Sequence, residues 1–274
     1  MKPVKLPAKY YQQFDADYSR DVPGEGYGGW KTGDIELSPD HTAVVMMHAW
    51  EAGTMEQWPG WRKCVEYHPR ALKILAEVFP PLLTAVRASP MKLFHVVGGR
   101  DYYTHLTGYK NTLKLAGPSP AYEQITKDPV YEAQDKFRRA NVFVGEKNWP
   151  DVEAGWKFLD FAPEARPVGD EPIAEDGHQL AAVCRAHGIN HLVYIGFAIN
   201  WCLLMSPGGM VDMGRYGVMC STIPEAVTAV ENAETARTER EKQQALWRVA
   251  INSGFVFGVK DFTKMVKALP LQRS

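Results

Sequence analysis

The sequence predicts an α/β fold: a doubly wound, mainly parallel sheet with helices on both faces. Two observations support this prediction. Short, almost continuous apolar runs begin near residues 42, 91, 190 and 216, as expected of strands that are buried on both faces. Segments with apolar residues at helical spacing separate these runs, and strands that alternate with helices form parallel sheets.

The first 40 residues do not follow this alternation. They are rich in Tyr, Asp, Gly and Pro and lack sustained periodicity, so we predict an irregular N-terminal arm over 1–40 that docks through its aromatic side chains. The remainder, 41–274, contains no internal repeat and no linker. We therefore expect a single domain over 41–274.

The first half of that domain begins with a strand. TAVVMMHAW, over 42–50, follows the turn signal SPD and is apolar and rich in β-forming residues. Apolar residues at helical spacing predict a helix over about 69–87, and MKLFHVVGG, over 91–99, predicts a second strand that ends in Gly-Gly. The polar, aromatic excursion over about 100–166 is too long for a simple connection, and such segments cover a site or build an oligomer interface.

The second half repeats the alternation. Asp176 or Gly177 can cap a helix that ends at Gly188, and INHLVYIGFA follows as a buried strand. A further buried strand is predicted over 216–222, YGVMCST. These elements complete the skeleton of the sheet.

The C-terminal segment is predicted to be mainly helical. A charged helix is expected near 224–251, with Ala, Leu and Trp on one face. The short apolar run FVFGV follows, and a final short helix begins at Asp261.

Composition argues against two classes of partner. The net charge is -1, the isoelectric point is near 6.7, and no segment is dense in Lys or Arg. Proteins that bind nucleic acid or an anionic membrane surface carry a basic patch. The sequence also shows no charged-then-apolar leader and no apolar run near the ~18 residues that cross a bilayer. We therefore expect no nucleic-acid partner, no membrane and a cytoplasmic location.

The four cysteines form no CxxC pair, which argues against both a disulfide framework and a zinc knuckle. Cys64, Cys184 and Cys220 are assigned to packing, because free cysteines are among the most buried residues. Cys202 differs, because it lies between a predicted strand and a predicted helix. Unpaired N–H groups at such a position stabilise a thiolate and can hold an oxyanion.

Three strand ends carry groups capable of chemistry. In an open parallel sheet the ligand site lies at the carboxyl ends of the strands. His48 follows the first strand, GGRDYYTH follows the second, and Cys202 follows the strand near 190. These residues are the candidates for a functional site.

Two of these segments resemble a known family. HTAVVMMHAWEAG, over 41–53, and GINHLVYIGFAINWCLLMSPGG, over 188–209, are similar to motifs of the isochorismatase-like cysteine hydrolases, which include nicotinamidases, carbamoylsarcosine amidase and biuret-type amidohydrolases. The resemblance covers most of 40–270 except the excursion. It implies a three-layer sandwich, a small-molecule substrate and a homo-oligomer.

The resemblance assigns roles at the second motif. Cys202 falls on the family's nucleophile. The backbone N–H groups of Ala198 and Cys202 fall on the oxyanion hole, and the family's cis peptide falls between Phe197 and Ala198. Trp50, Phe197, Tyr103 and Asn200 are expected to line the substrate pocket.

The first motif departs from the family. His48 stands where the catalytic aspartate is expected, and Trp50 replaces the glutamine that follows it. The catalytic lysine is expected near 166–170, where Arg166 is the nearest cation, and an arginine stays charged and cannot shuttle protons. Lys147 or Lys157 of the excursion can replace it only by folding back.

A metal site is not expected. Asp101, Tyr103 and His105 lie where nicotinamidase-like members carry a metal-binding Asp-x-His, but Tyr103 occupies the place of the histidine. We therefore predict no metal and no other cofactor.

Two functions stay open at this point. In the first, His48 accepts the Cys202 proton to form a thiolate–imidazolium pair, which attacks a small amide, ureide or related carbonyl compound and forms an acyl-enzyme. In the second, the chain is a catalytically silent homologue that binds a ligand or mediates assembly. The retained cysteine and its strand–helix setting favour the enzyme. Hydrolysis of an enol ether, which depends on the aspartate, is the least favoured chemistry.

Overall fold

The computed structural model describes residues 1–51 and 53–270. Within these residues the strands are β1 (Val4–Gln12), β2 (Gly29–Leu37), β3 (Thr42–Met47), β4 (Trp50–Glu51), β5 (Lys92–Val96), β6 (Asp160–Phe161), β7 (Ile173–Ala174), β8 (His191–Phe197), β9 (Met219–Thr228) and β10 (Val256–Phe257). The helices are α1 (Pro59–Cys64), α2 (His68–Glu77), α3 (Phe79–Arg87), α4 (Thr107–Ala116), α5 (Pro129–Asn141), α6 (Trp149–Trp156), α7 (Gly177–His187), α8 (Met210–Gly214), α9 (Arg240–Asn252) and α10 (Val259–Lys267).

Eight of the strands form one sheet, in the order β2-β1-β10-β9-β8-β3-β5-β7. The pairs from β10 to β7 are parallel, whereas β1 pairs antiparallel with both β2 and β10. β4 and β6 form a separate two-stranded antiparallel ribbon. The predicted doubly wound, mainly parallel sheet is confirmed.

Each face of the central sheet packs against its own set of helices. Val44, Met46 and Ile195 point to one face and share a core with α2, α3 and α10. Val45 and Tyr194 point to the other face and share a core with α7, α8 and α9. Because successive side chains of a strand alternate between faces, both cores draw on the same strands, and the fold has three layers.

The prediction of an irregular arm over 1–40 is wrong. β1 and β2 form a regular hairpin, with Val4 opposite Leu37 and Gln12 opposite Gly29, and β1 extends the central sheet beside β10. Leu6 and Ala8 are buried, while their neighbours along the strand are exposed. Glycine and aspartate are depleted in strands, so the composition of residues 1–40 did not indicate strands. Pairing with the sheet stabilises them nevertheless.

The predicted helix over 69–87 is two helices, α2 and α3, which meet at Val78. Pro80 and Pro81 lie in the first turn of α3, where the missing N–H groups need no partner. Interior prolines break a continuous helix, which explains the division.

The predicted helix over 224–251 is also divided. Its first residues belong to β9, in which Val227 and Thr228 pair with the end of β8. α9 begins only at Arg240. The Glu231 carboxylate accepts hydrogen bonds from the backbone N–H groups of Glu241 and Lys242 in its first turn. Pairing with β8 overrides the charged, helix-forming composition of this segment.

The helix predicted to end at Gly188 is confirmed as α7. The Asp176 carboxylate accepts the N–H of Gln179 at 2.8 Å and caps its first turn. Gly188 ends it in the left-handed conformation, at φ 66°. In the part of the chain that the structure describes, no helix is long and apolar enough to cross a membrane.

The pairing of β1 with the sheet predicts a stability effect at Leu6. We expect Leu6→Ala to lower the free energy of unfolding by about 2–5 kcal/mol, because the substitution leaves a cavity in the core. Urea denaturation measures the change. Lys5→Ala, at the exposed neighbouring position, is the matched control and should stay within about 0.5 kcal/mol. Equal, small effects of the two substitutions would contradict a structural role for the hairpin.

Candidate active site

The candidate site lies at the carboxyl ends of β3 and β8. These strands are neighbours in the sheet, and Met47 at the end of β3 pairs with Gly196 near the end of β8. His48 therefore follows directly beside Phe197 and Ala198. Residues about 150 positions apart in the sequence meet at this edge, where open α/β sheets bind ligands.

His48 departs from the strand in an unusual backbone conformation. Its φ is 51°, in the left-handed region that residues other than glycine rarely adopt, and such residues cluster at functional sites. Its N–H donates to the Val96 carbonyl at 3.2 Å, which ties it to the end of β5. Its ring stacks on Trp50, with centroids 4.5 Å apart and an interplanar angle of 17°. The histidine is thereby fixed on two sides.

The backbone at the end of β8 also has an unusual conformation. Gly196 has φ 122°, and a Cβ at this position would lie 1.9 Å from the Met47 carbonyl oxygen, so only glycine fits beside β3. The peptide bond between Phe197 and Ala198 is cis, as the resemblance implied. Cys202 then lies in a π-helical turn, Ile199–Leu203, rather than at the start of an α-helix.

Cys202 and His48 line one cavity of about 200 Å³. Its wall is mostly apolar and aromatic, and it is built from the ends of β3 and β8, from α1 and α2, and from the excursion: His48, Trp50, Trp61, Cys64, Val65, Tyr67, His68, Ala71, Phe143, Val144, Val152, Trp156, Phe197, Ala198, Trp201, Cys202 and Val230. The predicted pair of candidate catalytic side chains therefore lines one cavity.

Burial keeps the Cys202 thiol protonated. Removal from water raises the pKa of Cys202 above its usual range. The Ser206 hydroxyl and the backbone N–H groups of Ala198 and Cys202 act in the opposite direction by hydrogen bonding to the sulfur, and they offset only part of the effect. These two N–H groups are the ones that the resemblance assigns to the oxyanion hole.

Burial also keeps His48 neutral. It lowers the pKa of the imidazole to about 4, and the buried Nδ1 has no hydrogen-bond partner in the described part of the chain. Among the same residues, no hydrogen bond joins the His48 ring to the Cys202 sulfur. The geometry therefore favours a neutral thiol beside a neutral imidazole, rather than the thiolate–imidazolium pair expected from the sequence.

Two of the four predicted pocket residues line the cavity, namely Trp50 and Phe197. Tyr103 and Asn200 do not line it. The Tyr103 hydroxyl instead donates to Glu175 at 2.6 Å. The Asn200 side chain donates to the Val230 carbonyl at 2.8 Å and accepts the Val230 N–H at 2.9 Å, because it holds the segment after β9 in place.

The excursion takes part in the site, as its length suggested. Phe143, Val144, Val152 and Trp156 come from it and close one side of the cavity. Sequence reasoning missed His68, Cys64 and several aromatic residues of the wall. Their only signal was an aromatic-rich composition, since nothing in the local pattern places α1 and α2 at the end of β8.

No cation replaces the missing lysine at the cavity. Lys147 and Lys157 are exposed and do not line it, and Arg166 pairs with Asp160. Within residues 1–51 and 53–270, no lysine or arginine lines the cavity. Over the same residues, no group of three or more His, Cys, Asp or Glu side chains is arranged to hold a metal ion.

Comparison with known proteins finds similarity among solved structures. A cysteine hydrolase from Pseudomonas syringae pv. phaseolicola 1448A has 15% identity and a TM-score of 0.49, over 85% of this chain and 95% of that chain. An isochorismatase-like hydrolase from Alkaliphilus metalliredigens has 15% identity and a TM-score of 0.47, over 82% and 98%. N-carbamoylsarcosine amidase from Thermoplasma acidophilum has 13% identity and a TM-score of 0.38, over 80% of this chain and 96% of that chain.

No protein-family model and no curated protein matches the sequence. The solved structures similar to this chain carry the names of the family that the two motifs resemble. Identities and TM-scores this low show similarity of fold only. Any function proposed for this chain therefore depends on the residues of its cavity.

The raised pKa of Cys202 predicts slow alkylation at neutral pH. We expect iodoacetamide to label Cys202 more slowly than free cysteine at pH 7, with a rate that rises with pH to a midpoint above the ordinary ~8.5. Peptide mass spectrometry measures the rate, and unfolded protein gives the reference. Fast labelling at pH 7 that slows in His48→Ala would instead demonstrate a thiolate–imidazolium pair.

Proposed function

We propose that this chain is an isochorismatase-like cysteine hydrolase that cleaves the C–N bond of a small amide, ureide or related carbonyl compound. The observation that supports it best is the position of Cys202. It lines the same cavity as His48, and the N–H groups of Ala198 and Cys202 lower the pKa of its thiol against the effect of burial. The two motifs that resemble the family supply these same residues.

The first half of the reaction forms an acyl-enzyme. The Cys202 sulfur bonds to the substrate carbonyl carbon while a His48 ring nitrogen takes the thiol proton, so that thiolate and imidazolium exist only during attack. The carbonyl oxygen becomes an oxyanion, which the N–H groups of Ala198 and Cys202 stabilise. The C–N bond then breaks, and the leaving amine takes the proton from His48.

The second half releases the product. Water attacks the thioester carbonyl, His48 accepts a proton from that water, and the C–S bond breaks to return the Cys202 thiol and a free carboxyl product. Apart from the transient His48 imidazolium, these steps need no cationic side chain. A lysine near His48 would disfavour the imidazolium, so the absence of Lys and Arg from the described cavity wall suits the proposed role of His48.

A ligand-binding protein without turnover is the second candidate. It is favoured by the neutral state of both side chains and by the missing hydrogen bond between His48 and Cys202. In that case the cavity would hold its ligand intact. The hydrolase is preferred because Michaelis complexes shorten catalytic hydrogen bonds that are long in the free enzyme.

The test is release of ammonia from a panel of small primary amides and ureides. With an active substrate, we expect Cys202→Ala to lower kcat by at least ~10³, because the nucleophile and its base act as a unit. Cys184→Ala, which removes a thiol in α7 far from the cavity, is the control and should retain activity. Equal activity of the two variants would exclude Cys202 as the nucleophile, and binding without turnover would support the second candidate.

The pKa of His48 predicts the acid limb of the reaction. A general base works only when neutral, so kcat/KM should rise with pH through about 4 and reach a plateau, rather than rise through the ~6.5 of an ordinary histidine. The measurement is kcat/KM between pH 3.5 and 8 on the same substrate. A limb near 6.5, or one that persists in a weakly active His48→Ala variant, would assign the base to another group.

A further inference from the structure

Helix α5 of the excursion makes little contact with the rest of the chain. The structure describes all of it, and no residue over Pro129–Asn141 is buried. Local signals define its start, since the Asp128 carboxylate accepts the Tyr131 N–H at 2.7 Å and Pro129 lies in the first turn. A helix of 13 residues is nevertheless marginal in water unless its amphipathic face packs against another surface.

The apolar side of α5 is turned away from the protein. A groove of about 350 Å³ separates α5 from Trp149 and Pro150 at the start of α6. To this groove α5 contributes four charged side chains and one alanine: Glu132, Asp135, Lys136, Arg139 and Ala140. Val130 and Phe137 do not line the groove, and each is 64% exposed. A helix on the surface of a monomer has the opposite arrangement, with its apolar side turned inward.

Six exposed apolar side chains in and beside this helix form what we call the α5 patch: Ile125, Val130, Tyr131, Phe137, Val142 and Phe143. Their exposure ranges from 44% at Phe143 to 87% at Ile125. A buried aromatic side chain contributes about 150–250 Å². Together the six supply an area on the order of the ~800 Å² that each partner buries in a standard protein interface. Exposed apolar surface of this size marks an interaction site.

The charges of α5 are divided along its length. From residue 128 to residue 141 the acidic residues all precede the basic ones: Asp128, Glu132 and Asp135, then Lys136, Arg138 and Arg139. Two such helices packed antiparallel place the acidic half of each beside the basic half of the other, whereas parallel packing places like charges together. A two-fold axis between two copies of one chain produces this antiparallel pairing. The surface that complements α5 is therefore α5 itself.

We propose that α5 is a dimerisation helix, which packs antiparallel against α5 of a second copy of this chain and buries the α5 patch. The two-fold axis passes near Gln134, midway between Glu132 and Lys136. These two side chains lie on one flank of the apolar side, so Glu132 of one copy pairs with Lys136 of the other, and the reverse. Phe143 and Val144, which follow α5, line the cavity, so the interface lies beside the candidate active site.

The mass of the full chain in solution tests the proposal. At ~50 µM, where a dimer with a dissociation constant of ~1 µM is almost complete, we expect light scattering to give at least twice the 30.8 kDa of one chain. Phe137→Asp should halve that mass, because an unpaired charge cannot enter an apolar interface. Phe14→Asp is the matched control and should leave the mass unchanged, since Phe14 is 55% exposed but outside the patch. A monomeric unsubstituted chain, or equal masses of the two variants, overturns the proposal.

Exchange of charges tests the antiparallel arrangement. Glu132→Lys places lysine opposite lysine, and Lys136→Glu places glutamate opposite glutamate, so each variant alone should dimerise at least about five-fold more weakly. An equimolar mixture should form a heterodimer at least as tightly as the unsubstituted chain, because one copy then supplies two lysines and the other two glutamates. Sedimentation velocity measures both, with Lys5→Glu on β1 as the unchanged control. A mixture that dimerises no more tightly than the separate variants overturns the proposal.

A lipid surface is the competing occupant, because an exposed apolar helix face can also lie in a membrane interface. Co-sedimentation of the full chain with vesicles of phosphatidylcholine and phosphatidylserine tests this alternative. We expect no bound protein, since the acidic half of α5 is repelled by anionic lipid. Binding to the vesicles that Phe137→Asp abolishes would assign the α5 patch to lipid and overturn the proposal.

Discussion

The parallel pairing of β3 with β8 is the constraint on which the candidate site depends. It brings the end of β3 beside a turn about 150 residues later, and so it places His48 and Cys202 at one cavity. Gly196 makes the pairing possible, because its missing side chain lets the Met47 carbonyl approach. His48 then leaves the sheet in a left-handed backbone conformation, at φ 51°. The ends of these two strands therefore determine where the two candidate catalytic side chains lie.

Burial decides the protonation states in that cavity. A charged imidazolium or thiolate loses hydration in an apolar space, so Cys202 stays a thiol and His48 stays a neutral base. A site of this kind separates charge only when a substrate oxyanion and its N–H donors share the cost.

The excursion supplies part of the cavity wall. Outside the two cores of the sandwich, Trp61, Val144, Val152 and Leu159 form a separate small cluster, against which Trp50, Cys64 and Trp156 pack. The Cys64 thiol donates to the Val144 carbonyl at 3.0 Å and joins α1 to the excursion. The wall of the cavity consequently belongs to a layer added over the end of the sheet. Changes in that layer can alter the ligand without disturbing the strands that hold Cys202.

The sequence by itself determined the central strands and α7 with its caps, because these depend on local patterns. The resemblance of two short motifs to a known family supplied the position of the cis peptide and supported Cys202 and His48 as candidates. The sequence did not reveal the N-terminal hairpin, in which β1 is also stabilised by pairing with β10, a strand distant in sequence. It named Tyr103 and Asn200, which do not line the cavity, and it missed His68, Trp61, Trp156 and Trp201, which do. Contacts between distant segments, and the loss of water that follows from them, decided which side chains face the cavity and which charges they carry. Both are properties of packing, so only the tertiary structure could supply them.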